Sequence, residues 1–148
     1  MTRVLAAASG GGHWEQLMLL MQDFPSCDLR FATTDSDQAA HSGKVKVLSL
    51  PDCNLTQPIN ALRCAVVSLG HVWRIRPHVV VSTGAAPGFF CILWGRILGA
   101  QVLWIDSIAN AERISLSGRL AMLVGAKCLT QWEHLADDAH IQFRGSVL

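Results

Sequence analysis

Short apolar runs rich in β-branched residues alternate along this chain with longer segments in which apolar positions recur every three to four residues. Unbroken or alternating apolar runs predict strands, and the longer period predicts helices. Strands are expected at 3–8, 28–34, 45–50, 78–82, 101–106 and 127–130, with helices at 13–22, 58–75, 87–98 and 116–124. That order marks an α/β chain with a Rossmann-like parallel sheet flanked by helices. Val79-Val80-Val81 has no polar alternation, as befits a central strand covered on both faces.

In the first helix Trp14, Leu17, Met18 and Met21 form one stripe, with Glu15 and Gln22 off it. It is read as core packing, the other reading being a membrane- or partner-facing stripe. The helix at 58–75 carries Leu62, Val66, Leu69 and Trp73 beside Arg63, Arg74 and Arg76. It is read first as a core-packing helix and second as a candidate for attachment to a membrane surface. The helix holding Phe89, Phe90, Ile92, Leu93 and Trp94 is expected against the sheet. Gly43-Lys44 and Pro51-Asp52 mark turns, no linker interrupts the pattern, and one domain over 1–148 is expected.

Candidate chemistry concentrates at Ser9-Gly10-Gly11-Gly12-His13, where the first strand gives way to the first helix. In α/β proteins that junction lies at the carboxyl edge of the sheet, where ligands bind. Glycines let a ligand approach the backbone without a Cβ in the way, and the free N–H groups of a helix start favour an anion. A phosphate or diphosphate is the expected guest; a merely tight turn is the plain alternative. The segment is not a P-loop, because His13-Trp14-Glu15 stands where Gly-Lys-Ser/Thr would be needed. Gly10-x-Gly12 opens a dinucleotide fingerprint, but Glu15 occupies the place of the third glycine and would repel a pyrophosphate. With Asp35 as a ribose-binding acid, a stand-alone NAD(P)-binding Rossmann oxidoreductase is the alternative function. His13 can act as a general base, donate to a phosphate, or simply cap the first helical turn, and Glu15 can orient it or be the base itself.

Later loops reach the same edge. Ser82-Thr83-Gly84 precedes Pro87, which suits a first helical turn, so these three residues are candidates for a sugar hydroxyl or phosphate, or for a structural cap. Asp106 can accept hydrogen bonds from a sugar, with Ser107 and Asn110 beside it, and Arg113 or Arg119 can neutralise a phosphate; each is equally an ordinary loop or surface group. Gln131-Trp132-Glu133 adds a flat aromatic surface for a sugar or an anchor for a partner.

Composition narrows the classes. Hydrophobic residues make up 51% and charged residues 16% of the 148, so apolar surface is expected to remain once a core is filled. With 12 basic and 11 acidic residues the net charge of +1 gives no field for DNA or RNA. Cys27, Cys53, Cys64, Cys91 and Cys128 have no zinc-site spacing and suit a reducing cytosol, and no carboxylate cluster suggests a metal. The sequon Asn54-Leu55-Thr56 has no expected consequence without a secretory signal. Arg63, Arg74 and Arg96 interrupt every run approaching the ~20 apolar residues of a membrane span, which leaves peripheral contact open.

Five blocks taken together resemble one family over nearly the whole chain: Ser9-Gly10-Gly11-Gly12-His13 with Glu15, Ser82-Thr83-Gly84 with Pro87-Gly88, Asp106-Ser107 with Ala109-Asn110, Leu116-Ser117-Gly118-Arg119, and Gln131-Trp132-Glu133. The chain is similar to the bacterial exopolysaccharide and capsule proteins that form the non-catalytic half of two-chain glycosyltransferases. It also resembles their eukaryotic relative, which recruits the second N-acetylglucosaminyltransferase subunit of dolichol-linked oligosaccharide synthesis to the endoplasmic reticulum. The resemblance implies the N-terminal half of a GT-B glycosyltransferase, whose two facing Rossmann-like domains are divided between two chains. It implies that this half receives the acceptor while the partner binds a nucleoside diphosphate sugar, with no cofactor and no metal. A similar glycine-His turn in the peptidoglycan GlcNAc transferase is thought to meet the diphosphate of its lipid acceptor.

On that basis His13 and Glu15 are the catalytic candidates. Ser9, Gly10, Gly11, Gly12, Ser82, Thr83, Gly84, Asp106, Ser107, Asn110 and Arg113 are the candidates for acceptor and phosphate binding, and Gln131, Trp132 and Glu133 for the partner interface. The expected reaction transfers glucuronic acid, galactose or GlcNAc to a lipid-diphosphate-linked saccharide, for capsule, exopolysaccharide or lipid-linked oligosaccharide assembly. Its expected place is the cytoplasmic face of the plasma membrane, with the chain held there peripherally. Many relatives carry an N-terminal hydrophobic anchor, whereas this strand starts at Arg3, so attachment is expected from elsewhere in the chain. The sequence stops at Leu148, just after Gln142-Phe143-Arg144-Gly145, where a whole enzyme would enter its second domain, so a partner chain is expected and the chain alone is expected to be inactive.

Overall fold

The computed structural model describes residues 1–24, 26–35, 37 and 46–147. The turn expected at Gly43-Lys44 and the strand start expected at Val45 lie outside the described residues. In chain order the elements are β1 (Arg3–Ala8), α1 (Gly12–Met21), β2 (Asp28–Thr33), β3 (Lys46–Ser49), α2 (Pro58–Ile75) and β4 (Val79–Gly84). There follow α3 (Ala86–Ile97), β5 (Gln101–Ile105), α4 (Leu116–Leu123), β6 (Lys127–Thr130), a 3-10 turn (Glu133–Leu135) and β7 (Ile141–Phe143). The seven strands form one sheet in the order β3-β2-β1-β4-β5-β6-β7, with every neighbouring pair parallel.

This is the Rossmann-like order expected from the alternation of elements, and β4 with its valine run sits in the middle. The chain leaves β1 toward β2 and β3 on one side, then returns to β4 and builds outward on the other. Sheets of this kind bind ligands at such a reversal, which here falls beyond the carboxyl ends of β1 and β4.

Side-chain alternation gives the sheet two apolar faces. Val4, Ala6, Val81 and Ile105 pack with Trp14, Leu17 and Met21, so the stripe of α1 is core. Leu5, Ala7, Val80 and Val102 pack with Val72 and Ile75 of α2, Phe89 and Ile92 of α3, and Ala121 of α4.

The core-packing stripe expected on α2 needs correction. The helix buries Cys64, Ser68, Val72 and Ile75, while Leu62, Val66 and Trp73 face water and Leu69 is half-buried. The reason is close approach: Cys64, Ala65 and Ser68 are small, so α3 comes near enough for Trp94 Nε1 to donate to the Ala65 carbonyl at 2.8 Å. The bulkier side chains lie on the outer side.

Candidate functional site

The turn after β1 is held from both sides. Ser9 N donates to the Gly84 carbonyl at 3.0 Å, and Gly10 N donates to Thr34 Oγ1 at 2.9 Å. Gly11, at φ 74, turns the chain into α1 in a conformation that favours glycine. Among the described residues no side chain caps the helix, and both Gly11 and Gly12 are exposed, so the first N–H groups of α1 have no side-chain partner there.

His13 is fixed against the loop that follows β4. Its Nδ1 lies 3.0 Å from the Thr83 carbonyl, and Thr83 Oγ1 donates back to the His13 carbonyl at 2.6 Å. A carbonyl only accepts, so Nδ1 carries the proton and the neutral ring keeps its lone pair on Nε2. Among the described residues no group bonds Nε2. Gly84 sits under this ring at φ 126, and a Cβ there would come within 2.6 Å of His13 Nδ1. Glu15 is exposed in the first helical turn, and among the described residues no hydrogen bond joins it to His13. Ser82 is buried and accepts from Gly84 N at 3.2 Å, so Ser82 and Thr83 brace the loop rather than line its open side.

Asp106, expected to meet a sugar, is 1% exposed and turned inward. Its Oδ1 accepts from Trp104 Nε1 at 2.9 Å and Ser115 Oγ at 2.6 Å, and its Oδ2 from Asn110 Nδ2 at 3.1 Å and Ser115 N at 3.0 Å. Ser115 in turn caps α4 by accepting from Gly118 N at 3.0 Å. The carboxylate therefore organises the loop between β5 and α4. Arg113, on that loop, is exposed.

Ser107 is buried too, and it exposes a residue the sequence reading missed. Gln16 Nε2 donates to Ser107 Oγ at 3.0 Å, and Gln16 Oε1 accepts from Ile108 N at 3.1 Å and Gln131 Nε2 at 2.8 Å. Gln131, expected at a partner interface, is thus internal, and its Nε2 also donates to the Asp106 carbonyl at 3.1 Å. Beside it Trp132 is half-buried, its Nε1 donating to the Ile108 carbonyl at 2.8 Å, and Glu133 is exposed. Nothing in a single sequence marks Gln16 as different from a surface glutamine on a helix. The buried cysteines offer no nucleophile at neutral pH: burial pushes the Cys91 and Cys128 thiols up to about 12.

A seven-stranded parallel sheet of this order, with a glycine turn and a second loop closing on each other at the switch point, defines a Rossmann-like domain. MurG from Acinetobacter baumannii matches it with a TM-score of 0.78 over 99% of this chain and 45% of its own, at 14% identity. A UDP-GlcNAc 2-epimerase from Neisseria meningitidis, solved with UDP-GlcNAc bound, matches at 0.70 over 97% of this chain and 47% of its own, at 13% identity. At such identities the likeness is one of fold.

The family model described as "Oligosaccharide biosynthesis protein Alg14 like" matches residues 45–147, and the chain belongs to this Alg14-like family. It is similar to the UDP-N-acetylglucosamine transferase subunit ALG14 of Eremothecium gossypii, 33% identical over 89 residues that cover 52% of this chain and 40% of the relative. The same-named subunit of Candida glabrata is 26% identical over 132 residues, covering 80% of this chain and 52% of the relative. The chain thus spans about half the length of these curated relatives, or less. None of the proteins named here is a capsule or exopolysaccharide protein.

Proposed function

We propose that this chain is the acceptor-side subunit of a two-chain glycosyltransferase of lipid-linked oligosaccharide synthesis. The observation that carries the reading is His13, fixed through Nδ1 to Thr83 beside the glycine turn, with no partner for Nε2 among the described residues. The N–H groups of Gly11, Gly12 and His13 receive the diphosphate of the lipid-linked acceptor, where oriented backbone donors and the helix dipole favour an anion. Ser9 and Gly10 flank that seat, and Arg113, exposed on the neighbouring loop, adds positive charge. His13 Nε2 takes the proton of the acceptor hydroxyl as its oxygen bonds the anomeric carbon of the donor sugar; the nucleoside diphosphate leaves with the electron pair of the broken bond. Glu15, exposed in the same turn, is the second candidate base. Asp106, Ser107, Asn110, Gln131, Ser82 and Thr83 hold the loops in place.

The donor arrives on a partner chain, whose docking surface includes Trp132 and Glu133 at the same edge. No cofactor or metal takes part. The names of the relatives favour N-acetylglucosamine over glucuronic acid or galactose as the sugar, and lipid-linked oligosaccharide over capsule as the product. The work is done at the cytoplasmic membrane face, with the chain attached peripherally. The oxidoreductase alternative has no observation in its favour, since the relatives are named as subunits of a transferase.

The test is a radiolabelled sugar-transfer assay on membranes, with this chain alone, the donor-binding candidate alone, and both together. Transfer is expected only from the pair, and His13→Ala is expected to lower it by ~10²-fold while the pair still assembles. Full activity from this chain by itself, or from the His13→Ala pair, would overturn the reading.

A further inference from the structure

The outer side of α2 carries a continuous apolar stripe. Ile59, Leu62, Val66 and Trp73 are 83%, 66%, 62% and 56% exposed, and half-buried Leu69 completes the spacing of three and four. Over the fifteen residues from Ile59 to Trp73 the stripe runs about 21 Å. An apolar surface of this extent on a folded chain marks an interaction site. The charged residues beside it are all cationic: Arg63, Arg74 and Arg76 stand along and at the end of the stripe, and residues 58–76 contain no Asp or Glu. At one end the Arg76 guanidinium lies 3.9 Å over the Trp73 ring, pairing an aromatic that favours an interface with a charge that favours anionic headgroups.

We propose that this face of α2 is a preformed docking surface for an anionic bilayer. It deepens the peripheral contact proposed above and rests on that reading only for the bilayer being where the acceptor lies. Charge complementarity selects the occupant: a second copy would set arginines against arginines with no acid on the helix to answer them, whereas anionic headgroups attract each one. Among the described residues no helix is long and apolar enough to cross a membrane, so the helix lies on the surface. The surface is rigid before contact. Arg3 Nε donates to the carbonyls of Ile75 at 3.0 Å and Arg76 at 2.9 Å, pinning the end of α2 to β1, and Trp94 pins its middle. Since α2 covers one face of the sheet and α1 the other, the bilayer lies along the α2 flank of the sheet.

Flotation of the full chain with phosphatidylserine–phosphatidylcholine vesicles tests this without acceptor, donor or partner, so its failure is separate from failure of the transferase reading. Wild type is expected to bind, less so as salt rises, and to keep its far-ultraviolet circular dichroism on binding. Leu62→Ser with Val66→Ser is expected to lower binding at least tenfold at unchanged thermal stability. Each of Arg63→Gln and Arg74→Gln is expected to lower it about fivefold. Gly70 lies on the same exposed side with open space around an added Cβ, so Gly70→Leu is expected to strengthen binding. The proposal falls if folded wild type does not bind, if the Leu62→Ser, Val66→Ser variant binds equally, or if those substitutions abolish a concentration-dependent dimer instead.

Discussion

The turn after β1 and the loop after β5 reach the same edge of one sheet, and both are rich in groups able to bind a sugar or a phosphate. They use them in opposite ways. Between β5 and α4, the carboxylate of Asp106 already accepts four hydrogen bonds and Ser107 is tied to Gln16, so the polar groups face inward. At residues 9–13 the backbone is clamped at Ser9 and Gly10, yet among the described residues the N–H groups of the helix start and His13 Nε2 have no partner. The contrast separates a wall from a receptor: a preorganised group with no internal partner can bind a ligand at little further cost.

The largest effect should come from breaking the wall. Asp106→Ala strips Trp104 Nε1, Asn110 Nδ2 and Ser115 N of their shared acceptor in a buried site, and is expected to lower unfolding free energy by about 3 kcal/mol, read from denaturant midpoints. Next is the joint between the two β-strand ends that hold His13. Gly84→Ala forces a side chain onto a positive φ and into the imidazole, and is expected to cost about 1–3 kcal/mol and to shift the His13 ring resonances in NMR spectra. The smallest effect lies outside both loops. N–H groups of Ile141, then His140, hold the Asp137 carboxyl below the usual carboxylate range. A group lowered in this way stabilises above its ordinary pKa of about 3.9, and that contribution fades as pH falls through the lower folded value. Amides at Ala139, His140 and Ile141 should therefore lose hydrogen-exchange protection on acidification while β1 and β4 keep theirs.

Periodicity made most of the sheet legible, because six strands carry apolar runs long enough to stand out. β7 escaped it: Ile141-Gln142-Phe143 is three residues long, and only pairing with β6 makes it a strand. Pattern also exposed the stripe of α2 but not which side of the helix the sheet would cover. Small residues at Cys64 and Ser68 won that contest by letting α3 approach, a tertiary effect that amphipathic spacing does not encode. The glycine turn was legible because glycine and helix geometry act locally. Half of the hydrogen bonds that turn Asp106 inward come from Ser115, nine residues on, and the buried bridge of Gln16 depends on groups 91 to 115 residues away, beyond any local motif.

The most direct test of the contrast is an amide NMR titration of the chain with a short-chain prenyl diphosphate. Shifts are expected at Gly11, Gly12 and His13, with Ser107, Ile108 and Asn110 unmoved. Movement of the second group with the first silent would contradict the assignment of receptor and wall.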